Sequence, residues 1–494
     1  MRPRSCCVAV LVAACLLGQT VAFAAGGEAG LTAPLSVRWV CSVGPDPGNT
    51  RAPVVTSDRV YLTHGGALRA IDAVTGAEVW KFPTTTARAT SSAVVAGDVV
   101  LVGADDSFLY GLSAADGKEV WKQKLAGSVQ GEPLLHEGVV VVGAQEMVYA
   151  VDPAKGDVKW VCSLTSPVSA GPVTDGSLLY FLCQNGSVQC VDFPGRRFRW
   201  AAPLRAGANA FPPVMAGRRV VVAAGKTLSA VTRTGGVAWQ AELPAGIGGR
   251  PAVADDYLLV PTTDGIVWRL YASSGRAVRG ASLQVEGAAT ASPLVTGSEV
   301  YAATGTGLIY ALDRELGRVR WIYRCIAPDQ GLGEGTTYGV YAPLSAASDQ
   351  LYVLTGAGDL YCFSPSAPDP AGPAFSGMTP EQGQALSSKQ PVEVSVVVTD
   401  QGSGVDPASV RMTLDGNPLT VEFDKAIGRA TATVTSPKDG SHVVKVSARD
   451  YRGNEASGEW SFLTDVSIAP AETERTTPTT RQPTTRAPAR TPGR

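Results

Sequence analysis

Tryptophan recurs at a fixed phase along most of this chain. Trp80, Trp121, Trp160, Trp200, Trp239 and Trp321 share one period, and Arg279 takes the phase left open, so six steps run from residue 80 to residue 321 at about 40 residues each. Each period reads as four short strands. In the second these are Ala93 to Val95, Val99 to Val102, Phe108 to Leu112 and Glu119 to Trp121, with Gly97-Asp98, Asp105-Asp106 and Asp116-Gly117 at the reversals. Four antiparallel strands per 40 residues make one blade of a β-propeller.

The third strands end in Asp72, Asp152 and Asp313, each followed by Gly four residues on and Trp eight residues on. A carboxylate there can accept hydrogen bonds from the turn backbone, and the Gly can take positive φ. The Trp offers a large apolar face to the neighbouring blade, while its indole N–H requires one partner. Ala342 to Ser364 supplies three more strands with no Trp unit after them, and Val37-Arg38-Trp39-Val40 is a fourth strand with no blade before it. Joining the two completes an eighth blade and removes both open sheet edges. The fold class expected is all-β, an eight-bladed propeller over residues 36–364.

These marks, V-Y-x-G-x-x-D-G-x-L-Y-A-L-D-x-x-T-G-x-x-x-W, resemble the pyrroloquinoline-quinone (PQQ)-like propeller repeat from Trp39 to Phe363. Seven of the eight docking positions carry Trp: 39, 80, 121, 160, 200, 239 and 321. That family includes quinoprotein dehydrogenases, the propeller lipoprotein of the outer-membrane β-barrel assembly machinery and sensor domains of some kinases, so the resemblance implies a fold before a function.

After Ser364, prolines mark a linker over 365–376. From 377 to 467 longer alternating strands follow. Val392, Val394, Val396 and Val398 share one face, with Met412, Val444, Val446, Trp460 and Phe462 as further core, which suggests a small β-sandwich. It resembles bacterial Ig-like domains, whose late strand ends in an Asp-x-x-Gly-Asn turn, here Asp450 to Asn454. Asp400, Asp406 and Asp450, with Asn454, would offer oxygen ligands to calcium at one end; the competing reading is a solvated turn. Residues 468–494 are mostly Thr, Pro and Arg and cannot bury a core, so a disordered tail is expected, its Arg residues able to touch an anionic surface.

Arg2 and Arg4, an apolar stretch from Val8 to Leu17 and Ala22-Phe23-Ala24 read as a signal peptide over 1–24, hence a secreted or periplasmic protein. Val12 to Cys15 also resembles a lipobox, so lipid anchoring at Cys15 is the alternative. No later stretch is long and apolar enough to span a membrane. Without Cys6, Cys7 and Cys15, the chain keeps Cys41, Cys162, Cys183, Cys190, Cys325 and Cys362. Buried thiols compete with disulfides, whose pairing the spacing leaves open. Cys183 and Cys190 flank the Asn185-Gly186 turn, and a shared face is expected for them.

The charges, 42 Lys+Arg against 44 Asp+Glu, give no basic surface for nucleic acid. HExxH, GxSxG and Walker A patterns are absent, His64, His136 and His442 are scattered, and the Gly-rich stretch 331–335 lacks a βα context. Two features rise above scaffold. Just before the innermost strands most units carry Ala52, Ser92, Gly171, Pro212, Ser292 or Ala342, but the third and sixth carry Glu132 and Arg250. Charges at a propeller axis can orient a ligand, or can be solvated rim charges. The link from Trp321 to Ala342 is also long and holds Tyr323, Tyr338 and Tyr341, suited to an interface or merely to a longer loop. The function expected is a non-catalytic, monomeric binding scaffold for a protein or cell-envelope component, without cofactor. The alternative is a quinoprotein oxidoreductase using PQQ with calcium.

Overall fold

The computed structural model describes residues 31–46, 51–82, 88–129, 131–204, 210–325 and 338–469. The stretch expected to be a signal peptide, with Cys6, Cys7 and Cys15, the Gly-rich stretch 331–335 and nearly all of the tail 468–494 lie outside them.

Eight four-stranded antiparallel sheets follow one another along the chain. The second has strands Val94–Ala96, Val99–Gly103, Phe108–Ser113 and Glu119–Lys124, within a few residues of the bounds expected from its turns. Its middle strands are Val- and Leu-rich and buried on both faces, because each sheet is packed between two others. In the eighth sheet the outer strand comes from the other end of the chain: Ser36–Ser42 pairs antiparallel with Asp359–Ser364, with Trp39 opposite Cys362.

The core is distributed around the ring. Tyr61, Leu68 and Trp80 of the first sheet pack with Val100, Val102 and Leu112 of the second. Equivalent clusters join the second to the third, and so on round to the seventh and eighth. A further cluster joins Tyr352, Leu360 and Cys362 of the eighth back to Val60, Leu62 and Ile71 of the first.

One contact repeats at the boundaries. The Trp80 indole lies flat over Gly117, whose φ is +70°, so closely that a Cβ there would sit 2.6 Å from the ring, and its Nε1 donates to the Ala114 carbonyl at 2.9 Å. Trp39 uses Gly76 and Ala73, Trp121 uses Gly156 and Pro153, Trp200 uses Gly235 and Arg233, and Trp239 uses Gly275 and Ala272. The Gly is obligatory twice over, for positive φ and for the close approach of the ring. Within these turns Asp72, Asp152 and Asp313 each accept two backbone N–H groups, as expected. Those hydrogen bonds, with Lys159 beside Asp152 and Arg320 beside Asp313, hold all three carboxyls below the usual range.

Two expectations for the ring change. Arg279 does not occupy a docking position. After an isolated antiparallel bridge between Leu270 and Ala277, Arg279 lies exposed in a turn, and the outer strand is only Leu283–Gln284. Leu283 takes the place of Trp, its Cδ2 lying 3.0 Å from where a Cβ on Gly317 would stand. Cys183 and Cys190 lie on opposite faces, because Tyr180 pairs with Cys190 and Leu182 with Val188; one thiol joins the cluster toward the third sheet and the other that toward the fifth. The cysteines among the described residues are free, and burial pushes the thiols of Cys183, Cys190 and Cys362 up to about 12, which leaves them un-ionised at neutral pH.

The second unit starts earlier than its expected bound, since the strand Ala374–Thr379 already belongs to it. That strand forms one sheet with Val392–Thr399, Arg429–Val434 and Glu422–Asp424. Gly440–Arg449 and Glu455–Asp465 lead the opposing sheet. Between the two lie Val394, Val396, Met412, Val444, Trp460 and Phe462, all buried.

Trp80→Ala should lower stability by about 3–5 kcal/mol, and Trp80→Phe, which removes only the N–H and part of the ring, by about 1 kcal/mol; urea unfolding followed by circular dichroism measures both. Removing residues 25 to 43 should leave Asp359–Ser364 as an unpaired edge and produce oligomers on size-exclusion chromatography. A truncated chain that stays monomeric with an unchanged melting temperature would show that the N-terminal strand does not seal the ring.

Candidate functional site

The two charges singled out at the inner ring meet. Arg250 Nη1 lies 3.0 Å from Glu132 Oε2, a chord from the sixth sheet to the third that skips the fourth and fifth. Arg250 Nη2 also donates to the Pro213 carbonyl at 2.8 Å, and the guanidinium side chain is only 11% exposed. The inner strands approach closely because the residues preceding the pair are Gly131 and Gly249, where a Cβ would stand 2.9 Å or less from the backbone of the next sheet. The hydroxyls of Ser92 and Ser292, at the equivalent places in the second and seventh sheets, are buried without a hydrogen-bond partner among the described residues. The inner ring is therefore crossed by the ion pair of Arg250 with Glu132.

PQQ with calcium would require carboxylates at the axis that are free to hold a cation and to act as base. Of the eight equivalent positions only the third bears a carboxylate, Glu132, and Arg250 engages it. The donor set present does not fit that group.

Tyr323, expected in a binding loop, stands instead on the strand Val319–Arg324 and is 3% exposed. It stacks on Trp321 at 5.9 Å and meets the edge of Phe363 at 4.8 Å, so it is core between the seventh and eighth sheets. Tyr338 and Tyr341 are half-buried at the end of that link, Tyr341 lying against Gly339 and Gly356.

Trp321 is fully buried because the second unit covers it. The chain leaves the ring after the third strand of the eighth sheet, so no turn exists there to receive the indole N–H; the Ser403 carbonyl of the sandwich accepts it at 2.7 Å. Val37 N–H donates to the Gly402 carbonyl, and Arg452 Nε to the Ser36 hydroxyl. Beside this contact three carboxylates converge, with oxygens within 4.8 Å of one another: Asp369, Asp400 and Asp450. Asp406 is not among them. Its side chain is spent as the cap of the short turn Pro407–Ser409, accepting from Ala408 N–H at 3.0 Å. Asp369 was illegible in the sequence, since it sits in the Pro-rich linker with no pattern around it. It accepts from Ser403 N–H at 2.7 Å, while Gly402 and Gly404 donate to Asp400 and Arg452 and Asn454 to Asp450.

Burial raises the Asp400 carboxyl to about 6, against its two backbone donors and with added repulsion from Asp369 and Asp450. A carboxyl raised above its unfolded value binds a proton in the folded state that the unfolded chain has released. Stability should therefore fall as pH rises from about 4 to about 6, and Asp400→Asn should flatten that part of the profile. Thermal melts across the interval in a chelating buffer measure the slope, and an unchanged slope in the variant would mean that Asp400 is not the group responsible.

The family described as outer membrane protein assembly factor BamB matches residues 64–280 and 225–404, two overlapping stretches that cover more than half of the chain. The protein of that name from Yersinia pestis is 23% identical over 349 residues, spanning 56% of this chain and 88% of its own. The crystal structure of BamB from Moraxella catarrhalis superposes with a TM-score of 0.50 at 16% identity, covering 67% of this chain and 98% of that one. Quinohemoprotein alcohol dehydrogenase from Comamonas testosteroni superposes with a TM-score of 0.51 at 15% identity, covering 72% and 78%. At these identities the structural likeness is one of fold: the ring is a β-propeller of PQQ-like repeats.

Proposed function

The chain belongs to the family of the outer membrane protein assembly factor BamB, and from that premise we propose that it is an exported, non-catalytic scaffold. In this reading the eight sheets are the blades of one closed propeller, the second unit is an Ig-like β-sandwich, and together they hold protein partners or components of the cell envelope as a monomer. The relatives' name, assembly factor, supports a role in binding. So does the geometry of the axis: the place where a quinone enzyme would seat its cofactor is crossed by Glu132 and Arg250. Among the described residues no helix is long and apolar enough to cross a membrane.

Titration of the purified protein with PQQ and calcium should give no stoichiometric quinone absorbance and no dye-linked alcohol oxidation. Stoichiometric binding with turnover would replace the scaffold by the oxidoreductase. In parallel, in vivo crosslinking should capture envelope proteins on the intact chain, and an uncrosslinked protein recovered alone would remove the support for a scaffold.

A further inference from the structure

The turns at one end of the ring carry carboxylates, with one sector as the exception. Between the first two strands stand Asp58, Asp98, Glu137, Asp175, Asp255 and Asp349, in the first, second, third, fourth, sixth and eighth sheets. The fifth sheet has Arg218 and Arg219 there instead. At the end of its third strand it has Thr232, where other sheets have Asp72, Asp152, Asp192 or Asp313. In the first sheet Arg59 stands opposite Asp72 and pairs with it at 3.2 Å. Arg219 takes the same place opposite Thr232, and its Nε is buried with no acceptor among the described residues.

The adjoining turn of the fourth sheet adds Arg196, Arg197 and Arg199, all exposed. The two sheets are locked side by side at this end. Trp200 covers Gly235 and donates to the Arg233 carbonyl, while the Arg233 guanidinium reaches back to Asp175 at 2.6 Å and to the Ser177 hydroxyl. Asp192 is held by Arg197 at 3.6 Å and Arg199 at 3.3 Å. Arg196, Arg218 and Arg219 meet no carboxylate among the described residues. The whole chain has a net charge of -2, so this excess of cations is local and stands against acidic turns on the same end of the ring.

We propose that the arginine sector of the fourth and fifth sheets seats the ring on a bilayer of anionic phospholipids, its guanidinium groups donating to lipid phosphate oxygens. Arg suits this partner because its planar fork meets two phosphate oxygens at once. A docked protein would need an apolar centre among the charges. The turns at 175–177, 193–196, 217–218 and 233–236 expose no large apolar side chain, whereas Val74 and Leu316 are exposed at the equivalent turns of the first and seventh sheets. The acidic turns of the other sheets are repelled by the same lipid surface, which tilts the fourth and fifth sheets toward it. The inference rests on the scaffold reading for the compartment in which such a bilayer is met. It is tested with purified protein and vesicles, so its failure leaves the scaffold to the crosslinking result.

The intact chain is floated with vesicles of phosphatidylglycerol and phosphatidylcholine in equal parts, and with phosphatidylcholine alone, at low and at high salt. Binding is expected only to the anionic vesicles, and it should weaken as salt rises. Each lost guanidinium should weaken it about fivefold, so Arg196→Asn with Arg218→Ser should bind about thirtyfold more weakly. Both side chains are exposed, and thermal melts check that the variant folds as the parent does. Arg276→Ser with Arg318→Ser, the same loss of charge from exposed turns of the sixth and seventh sheets, should keep full affinity. Equal binding to neutral vesicles, no binding to anionic ones, full affinity in the first pair or an equal loss in the second would overturn the proposal. Competition by inorganic phosphate at the same phosphate concentration would make the sector a site for the free ion, and displacement by polyglutamate at the same charge would make it one for an acidic protein; either result also overturns it.

Discussion

At five boundaries of the ring a flat indole is pressed against a glycine turn of the next sheet, and this contact sets the spacing of the array. A four-stranded sheet of this length cannot bury its two faces alone, and it gains stability only by stacking. The Trp supplies a large apolar area and a single hydrogen bond that fixes both spacing and angle between neighbours. The turn supplies the Gly, which alone accepts the φ and the contact, and in several units an Asp that ties down the turn backbone. Because the contact is directional, from one outer strand to the next turn, the array propagates around the circle and ends only where it meets its own beginning.

The closure shapes the rest of the molecule. Since Ser36–Ser42 completes the eighth sheet, the chain must leave that sheet after its third strand, and the last indole has no turn of its own kind to meet. The sandwich answers with the Ser403 carbonyl, and the Gly402–Gly404 loop that delivers it also wraps Asp400, one of three crowded carboxylates. Joining the two units and burying an acid there are consequences of one local need.

The axis and the boundary between the sixth and seventh sheets depart from repeat symmetry in opposite ways. At the axis two positions gained charges, and a chord between them satisfies both. At the boundary an aromatic was lost, and Leu283 with Arg269 replaces its bulk and its donor separately. Departures from a repeat are where a scaffold acquires specificity, because the repeat itself already accounts for stability.

The period of Trp, Asp and Gly marks was enough, without coordinates, to read the sheets, their turns, the sealing strand and the valine face of the sandwich, because each rests on local chemistry: a hairpin turn, an alternation, a positive φ. Glu132 and Arg250 were legible as exceptions for the same reason. That they bond to each other was not, since 118 residues separate them and only ring closure brings the third and sixth sheets within reach. Tyr323 looked like a loop residue until the strand extended through it, Asp369 replaced Asp406 beside Asp400, and Leu283 rather than Arg279 faced Gly317. Tertiary structure decided those outcomes. They depend on which segments meet across the ring and at the sandwich, and no residue's neighbours in sequence carry that information.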